Sequence, residues 1–108
     1  MIEVRLGKIT NAEYGKVRDY PFLFGLQLSF SMDNSCVSDG GVYTHNISKS
    51  CRWSEEDRAA AFMKQAEDIN EILSDAKVNC ISQLVGKPVE IALEDRTFRS
   101  FRILKEVL

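Results

Sequence analysis

Phe22-Leu23-Phe24-Gly25-Leu26-Gln27-Leu28-Ser29-Phe30-Ser31-Met32 is the stretch that decides the fold. Every even position in it is apolar, with Gly25, Gln27, Ser29 and Ser31 between. Side chains alternate across a strand, so a strict period of two puts one face on a core. The intervening residues are small and polar, which fits an antiparallel sheet covered on one side only. Pro21 has no N–H to give a ladder and suits the first position of such a strand.

Upstream, Ile2, Val4 and Leu6 alternate with Glu3 and Arg5, the pattern of a strand with one buried face. Ile9 falls out of phase after Gly7, which predicts a bulge at the glycine. Asn11 to Gly15 reads as a turn. Downstream, Asp33-Asn34-Ser35 and Ser38-Asp39-Gly40-Gly41 are turn-rich, Val42 to Ile47 is a short strand, and Ser48-Lys49-Ser50 is a loop.

Ser54-Glu55-Glu56-Asp57 starts a helix. A serine oxygen accepts from the free N–H groups of the first turn, and three carboxylates suit the positive end of the dipole. Ala59, Phe62, Ala66, Ile69, Leu73 and Ala76 then recur every three or four residues, with Glu67, Asp68, Glu71 and Asp75 off that stripe. About 22 residues of amphipathic helix follow, roughly 33 Å long. Val78 to Leu84 reads as a second, short helix ended by Gly86 and Pro88. Val89, Ile91 and Leu93 form a strand, Glu94-Asp95-Arg96 a turn, and Thr97 to Leu108 a long last strand. On that strand Phe101, Ile103 and Val107 share one face, and Phe98, Leu104 and Leu108 the other. The expectation is one α+β domain over 1–108: a mostly antiparallel sheet with one long amphipathic helix packed on one face and a C-terminal β-hairpin.

Composition excludes several classes. Fourteen basic and sixteen acidic groups leave a net charge of −2, so the chain as a whole is neither a nucleic-acid polycation nor a polyanion. The charge is unevenly placed, because residues 54–76 carry seven acidic and two basic groups. No basic stretch followed by an apolar run opens the sequence, and no run of about 18 apolar residues occurs, so no membrane partner is expected. Three cysteines without close spacing point to reduced thiols and a cytoplasmic setting.

No constellation carries chemistry convincingly. Cys36, His45, Cys51 and Cys80 lack the close pairing that organises a zinc site. A cysteine nucleophile would need His45 as base with Asp39 to orient it, and Cys80 lies in an apolar stretch where burial makes a thiol inert. Ser38-Asp39-Gly40-Gly41 has neither the lysine nor the following helix of a phosphate loop. Arg96, Arg99 and Arg102 cluster with Phe98 and Phe101, but Arg99 and Arg102 fall on opposite faces of the strand, which argues against a nucleic-acid stripe. Trp53 either stacks on a ligand or packs beside the helix start with Arg58 across it. No catalytic residue, metal or cofactor is therefore expected. Trp53, Tyr43, Glu67, Asp68, Glu71, Arg96, Arg99 and Arg102 remain as candidate binding residues.

Gly7-Lys8-Ile9, Asp19-Tyr20-Pro21-Phe22, Phe24-Gly25-Leu26, Asp39-Gly40-Gly41, Trp53, Asp75-Ala76-Lys77-Val78, Gly86-Lys87-Pro88-Val89-Glu90 and Phe101-Arg102-Ile103-Leu104 together resemble a group of small uncharacterised proteins encoded by bacteriophages and prophages. The resemblance runs along nearly the whole chain and brings no catalytic residues with it. It implies a non-catalytic binding protein that inhibits a host defence component, such as a CRISPR effector, by protein–protein contact. The alternative is an oligomeric protein that sequesters a small nucleotide, with Trp53 or Tyr43 at a subunit boundary. A host or defence protein, a second copy of the chain, and a nucleotide are the partners to be weighed.

Overall fold

The computed structural model describes residues 1–48 and 52–108; the expected loop at Lys49-Ser50 and the third thiol, Cys51, lie outside the described residues. Strands β1 (Ile2–Val17) and β2 (Tyr20–Met32) form a long antiparallel hairpin. β3 (Ser35–Ser38) and β4 (Thr44–Asn46) return along the last and first residues of β2. Helix α1 (Glu55–Ala76) follows, then β5 (Pro88–Glu94) and β6 (Thr97–Ile103). The order is β3-β2-β1-β5-β6, with β4 also on β2, and every pairing is antiparallel. This is the expected α+β architecture, with one long helix and a C-terminal hairpin.

The alternation along β2 builds the core. Leu26, Leu28, Phe30 and Met32 are buried, Phe24 is half-buried, and Phe22 is exposed. The sheet curls until β3 touches β6, at opposite ends of the strand order. Phe30 then stacks on Phe98 at 5.4 Å and 7° and meets Phe101 at 5.0 Å. Fully burying each large core side chain (Phe30, Ile9, Leu26, Leu28, Leu84, Ile91) contributes about 1.5–3 kcal/mol. α1 lies against β4 and β6 and sends Phe62, Ile69, Ile72 and Leu73 toward the interior.

α1 is capped as its sequence requires. Ser54 Oγ accepts from Asp57 N–H at 3.0 Å, and Lys77 closes the helix in the left-handed region at φ 59°. The buried stripe is rotated from the expected one. Ala59 and Ala66 are exposed, while Gln65 is only 3% exposed. The inward face therefore runs Arg58, Phe62, Gln65, Ile69, Ile72, Leu73 and Ala76.

β1 departs most from expectation. Asn11 to Gly15 is not a turn but continues the strand, and the chain reverses at Arg18-Asp19. The bulge falls after Ile9, where Ile9 pairs Phe30 and Asn11 pairs Ser29, rather than at Gly7. Ile9 is buried, so before the bulge the inward side chains are the odd ones, Glu3, Arg5 and Gly7. After it they are Ala12 and Tyr14. A one-residue shift of phase moves every side chain to the other face. Ile2, Val4 and Leu6, expected inside, are 56%, 56% and 64% exposed. Gly7 instead allows close approach of the strands, since a Cβ there would strike the Ser31 carbonyl oxygen.

The C-terminal hairpin turns through Asp95 and Arg96, both at positive φ (51° and 68°). A bulge at Arg99 follows, since Leu93 pairs Phe98 while Ala92 pairs Ser100. It puts Phe98 and Phe101 on the same inner side, against the expectation of opposite faces. The last strand ends at Ile103, and Lys105–Val107 forms a short 3-10 turn instead of continuing it. The helix expected over Val78 to Leu84 shortens to a 3-10 turn at Ile81–Leu84.

Candidate functional site

Three carboxylates spaced three and four apart on α1, Asp68, Glu71 and Asp75, line up on one side of the helix. They face Phe101, Arg102 and Ile103 on β6, with Tyr43 at the end nearer β4. Together with Ile72 these residues line an open cleft of about 340 Å³. Its floor is aromatic: the Tyr43 and Phe101 rings stand edge to face at 6.1 Å and 90°.

The placement of Tyr43 is over-determined. Its carbonyl accepts from Gln65 Nε2 at 3.1 Å and from Leu26 N–H at 3.3 Å. Gln65 Nε2 also donates to Phe24 O at 3.2 Å, and its Oε1 accepts from Tyr14 O–H at 2.7 Å. One amide thus joins α1 to β1, β2 and the segment before β4. Gly25 makes room for it, because a Cβ there would strike both the Tyr43 carbonyl and the Gln65 amide.

The field in the cleft is negative. The Tyr43 phenol is pushed up to about 12, first by burial and then by the charges of Asp39 and Asp68, so it stays protonated. On the rim, Lys64 pairs Asp68 at 3.1 Å and Lys105 pairs Asp75 at 3.6 Å. Arg102 is drawn outward to Glu90 at 3.1 Å and Glu106 at 3.2 Å. Glu71 has no ion-pair partner among the described residues. Exposed pairs of this kind are worth about 0–1 kcal/mol, so an incoming cation displaces Lys64 or Lys105 at little cost.

Of the residues expected from sequence, Tyr43, Asp68, Glu71 and Arg102 meet at this cleft. Glu67 is exposed on α1 but does not line it. Arg99 pairs Glu94 at 2.7 Å. Through the bulge, Arg99 and Arg102 both reach β5 glutamates on the outer side of the sheet, correcting their expected placement on opposite faces. Arg96 stands by a separate cleft with Glu3 and Arg5. Trp53 lies apart, with Arg58 6.0 Å from its ring centre and His45 at 6.2 Å, in the packing arrangement weighed for it above.

Asp39 does not orient His45. Its Oδ2 accepts from Leu28 N–H at 2.9 Å and its Oδ1 from Gly41 N–H at 3.0 Å, which holds the Asp-Gly-Gly turn on β2. Burial raises its pKa, partly opposed by those two bonds. His45 sits against Phe62 at 5.6 Å. Cys80, expected to be buried, is exposed, as is Cys36. Among the described residues no group of three or more His, Cys, Asp or Glu is placed to hold a metal ion, and no helix is long and apolar enough to cross a membrane.

Sequence reasoning missed Gln65, Asp75 and Phe101. The signal for Gln65 was its spacing: three residues after Phe62 and four before Ile69, it occupies the stripe that Ala66 was given. Comparison with protein-family models, with curated proteins and with solved structures finds no match to this chain.

Proposed function

We propose that this chain is a non-catalytic binding protein that engages a basic segment of a partner protein through the cleft between α1 and β6. The observation that carries this is the row Asp68, Glu71 and Asp75 set over the Tyr43–Phe101 floor. A lysine or arginine entering there meets carboxylates along one wall and an aromatic surface beneath, which attracts its charge through the ring quadrupole. The aliphatic stem of the same side chain covers Ile72 and Ile103. Among partner classes, the resemblance to phage-encoded proteins makes a host defence component such as a CRISPR effector the narrower form of the proposal.

The nucleotide-sequestering alternative fares worse at this site. A phosphate would be repelled by the three carboxylates, and Trp53, the ring best suited to stack on a base, lies outside the cleft. Native mass spectrometry of the chain isolated from a bacterial cytosol separates the two. A co-purifying protein of fixed stoichiometry supports the proposal, and a small bound mass supports the alternative. With the partner in hand, Asp68→Lys and Glu71→Lys should each weaken binding about tenfold or more, whereas Glu67→Lys should leave it unchanged. Equal affinities for all three variants would remove the cleft from the interaction.

A further inference from the structure

Residues Ile2–Leu6, the start of β1, present a bare edge. β2 pairs with β1 only from Lys8 onward, because after Met32 the chain turns away into β3. β5 occupies the opposite edge, from Ile2↔Glu94 to Lys8↔Pro88. Ile9 donates to Lys87 O at 3.1 Å and accepts from Gly86 N–H at 2.7 Å, so its backbone groups point to the β5 side. Alternation then sends those of Gly7, Arg5 and Glu3 to β5 as well. Pro88 fits this, since it lacks an N–H and stands opposite Lys8. The N–H and C=O groups of Ile2, Val4 and Leu6 are left aimed at the open edge, along which no strand lies among the described residues.

The same three residues hold the exposed apolar row on the outer face. On the inner face Glu3 and Arg5 pair with each other at 3.2 Å and keep much of their exposure. Unprotected edges of this kind are ready templates for pairing with another chain, and this one is self-complementary. When two copies run antiparallel about a two-fold axis through Val4, Ile2 of one stands opposite Leu6 of the other. Glu3 then stands opposite Arg5, and Val4 opposite Val4. The groups aimed outward belong to the hydrogen-bonded pairs Ile2/Leu6 and Val4/Val4. Glu3/Arg5 becomes the non-hydrogen-bonded pair, whose side chains stand closer. A shift of the centre by one residue would bring Glu3 onto Glu3 or Arg5 onto Arg5, so charge also fixes the register.

We infer that β1 is the dimerisation strand of this protein: two copies join edge to edge through Ile2–Leu6 into one continuous sheet, with apolar rows merged outside and Glu3–Arg5 ladders inside. This surface is separate from the α1–β6 cleft and stands or falls independently of it. The test is sedimentation equilibrium on the full chain and on charge variants, with circular dichroism to confirm folding. The wild-type chain should be dimeric. Glu3→Arg and Arg5→Glu should each raise the dissociation constant about tenfold or more, by setting like charges opposite each other. Mixing those two variants should give a heterodimer, and the double exchange E3R/R5E should restore the homodimer. Val4→Pro should yield a folded monomer, because the lost N–H faces the open edge and not β5. A monomeric wild-type chain, or single-charge variants that dimerise as well as wild type, overturns the proposal.

Discussion

Replacing Gln65 by glutamate exchanges one NH₂ for one oxygen and changes the shape of the side chain hardly at all, yet it should make the stability of the whole domain depend on pH. The native amide donates to two carbonyls, Phe24 O at 3.2 Å and Tyr43 O at 3.1 Å, from a site only 3% exposed. An ionised carboxylate there would turn a second acceptor toward two acceptors. A buried polar group left without a partner costs about 1–3 kcal/mol, so losing both bonds should remove roughly 3 kcal/mol at neutral pH. For a domain of this size that corresponds to a fall in Tm of about 12–20 °C. Protonation of the introduced carboxyl restores one donor, so its folded-state pKa lies above the unfolded value of about 4.3. A raised pKa means that its share of stability is present below about 4.3 and is lost as pH climbs through the folded value. Urea unfolding at several pH values, followed by the Trp53 fluorescence, measures this, with an unchanged m-value confirming that only stability has moved. Gln65→Met, which cannot titrate, should show a loss that does not vary with pH relative to wild type. If Gln65→Glu unfolds with the wild-type midpoint at pH 7, or with the same deficit at pH 4.5 and 7.5, the amide does not hold the helix to the sheet.

Gly25→Ala meets the same junction from below. At φ 152° and against the Tyr43 carbonyl it should cost about 2–4 kcal/mol, read from the thermal midpoint. Gly15→Ala is the control, with φ 155° but no atom near the added methyl, and should cost about 1 kcal/mol, so equal losses would refute the steric account. Asp39→Ala strands the Leu28 and Gly41 N–H groups and should lower stability by about 2–4 kcal/mol, as measured by the urea midpoint. Because burial raises the Asp39 pKa above 3.8, its titration contributes stability that is full below 3.8 and is lost as pH rises through the folded value. The advantage of wild type over Asp39→Asn should therefore shrink from pH 4 toward pH 7, and a gap that widens would reverse the assignment.

How far the chain could be read before its structure depended on whether each signal was local. β2 was legible because six alternating apolar residues leave no other phase, and the start of α1 was legible because Ser54 and three acidic residues act within one turn. Bulges were less so: they insert a residue into one strand only, and whether Ile9 sits before or after the slip is settled by its partner Phe30, which is distant in sequence. That one ambiguity turned Ile2, Val4 and Leu6 outward. The Arg99 bulge likewise set Phe98 and Phe101 together on the inner side and Arg99 and Arg102 together on the outer one. At the candidate site, Tyr43, Asp68, Glu71 and Arg102 were nameable as charged or aromatic residues. Their meeting in one cleft, and the part played by Asp75 and Phe101, depended on how the sheet curls toward α1. Gln65 was hidden because a glutamine on a helix is ordinarily solvated, and only its phase within the stripe distinguishes it.

The stacking of Phe30 on Phe98 has a consequence for how the protein is made. The β1–β2 hairpin can zip as soon as it leaves the ribosome, but the ring that covers Phe30 belongs to the penultimate segment of the chain. At about 5–20 residues per second, roughly 3–14 s of synthesis separate the two. Throughout that interval Leu26, Leu28 and Phe30 have only transient cover, because long-range pairing must wait for both halves. The nascent hairpin is thus the stage at which a holding chaperone has most to bind, and slowing translation between α1 and β5 should lower the yield of folded protein more than slowing it after β6.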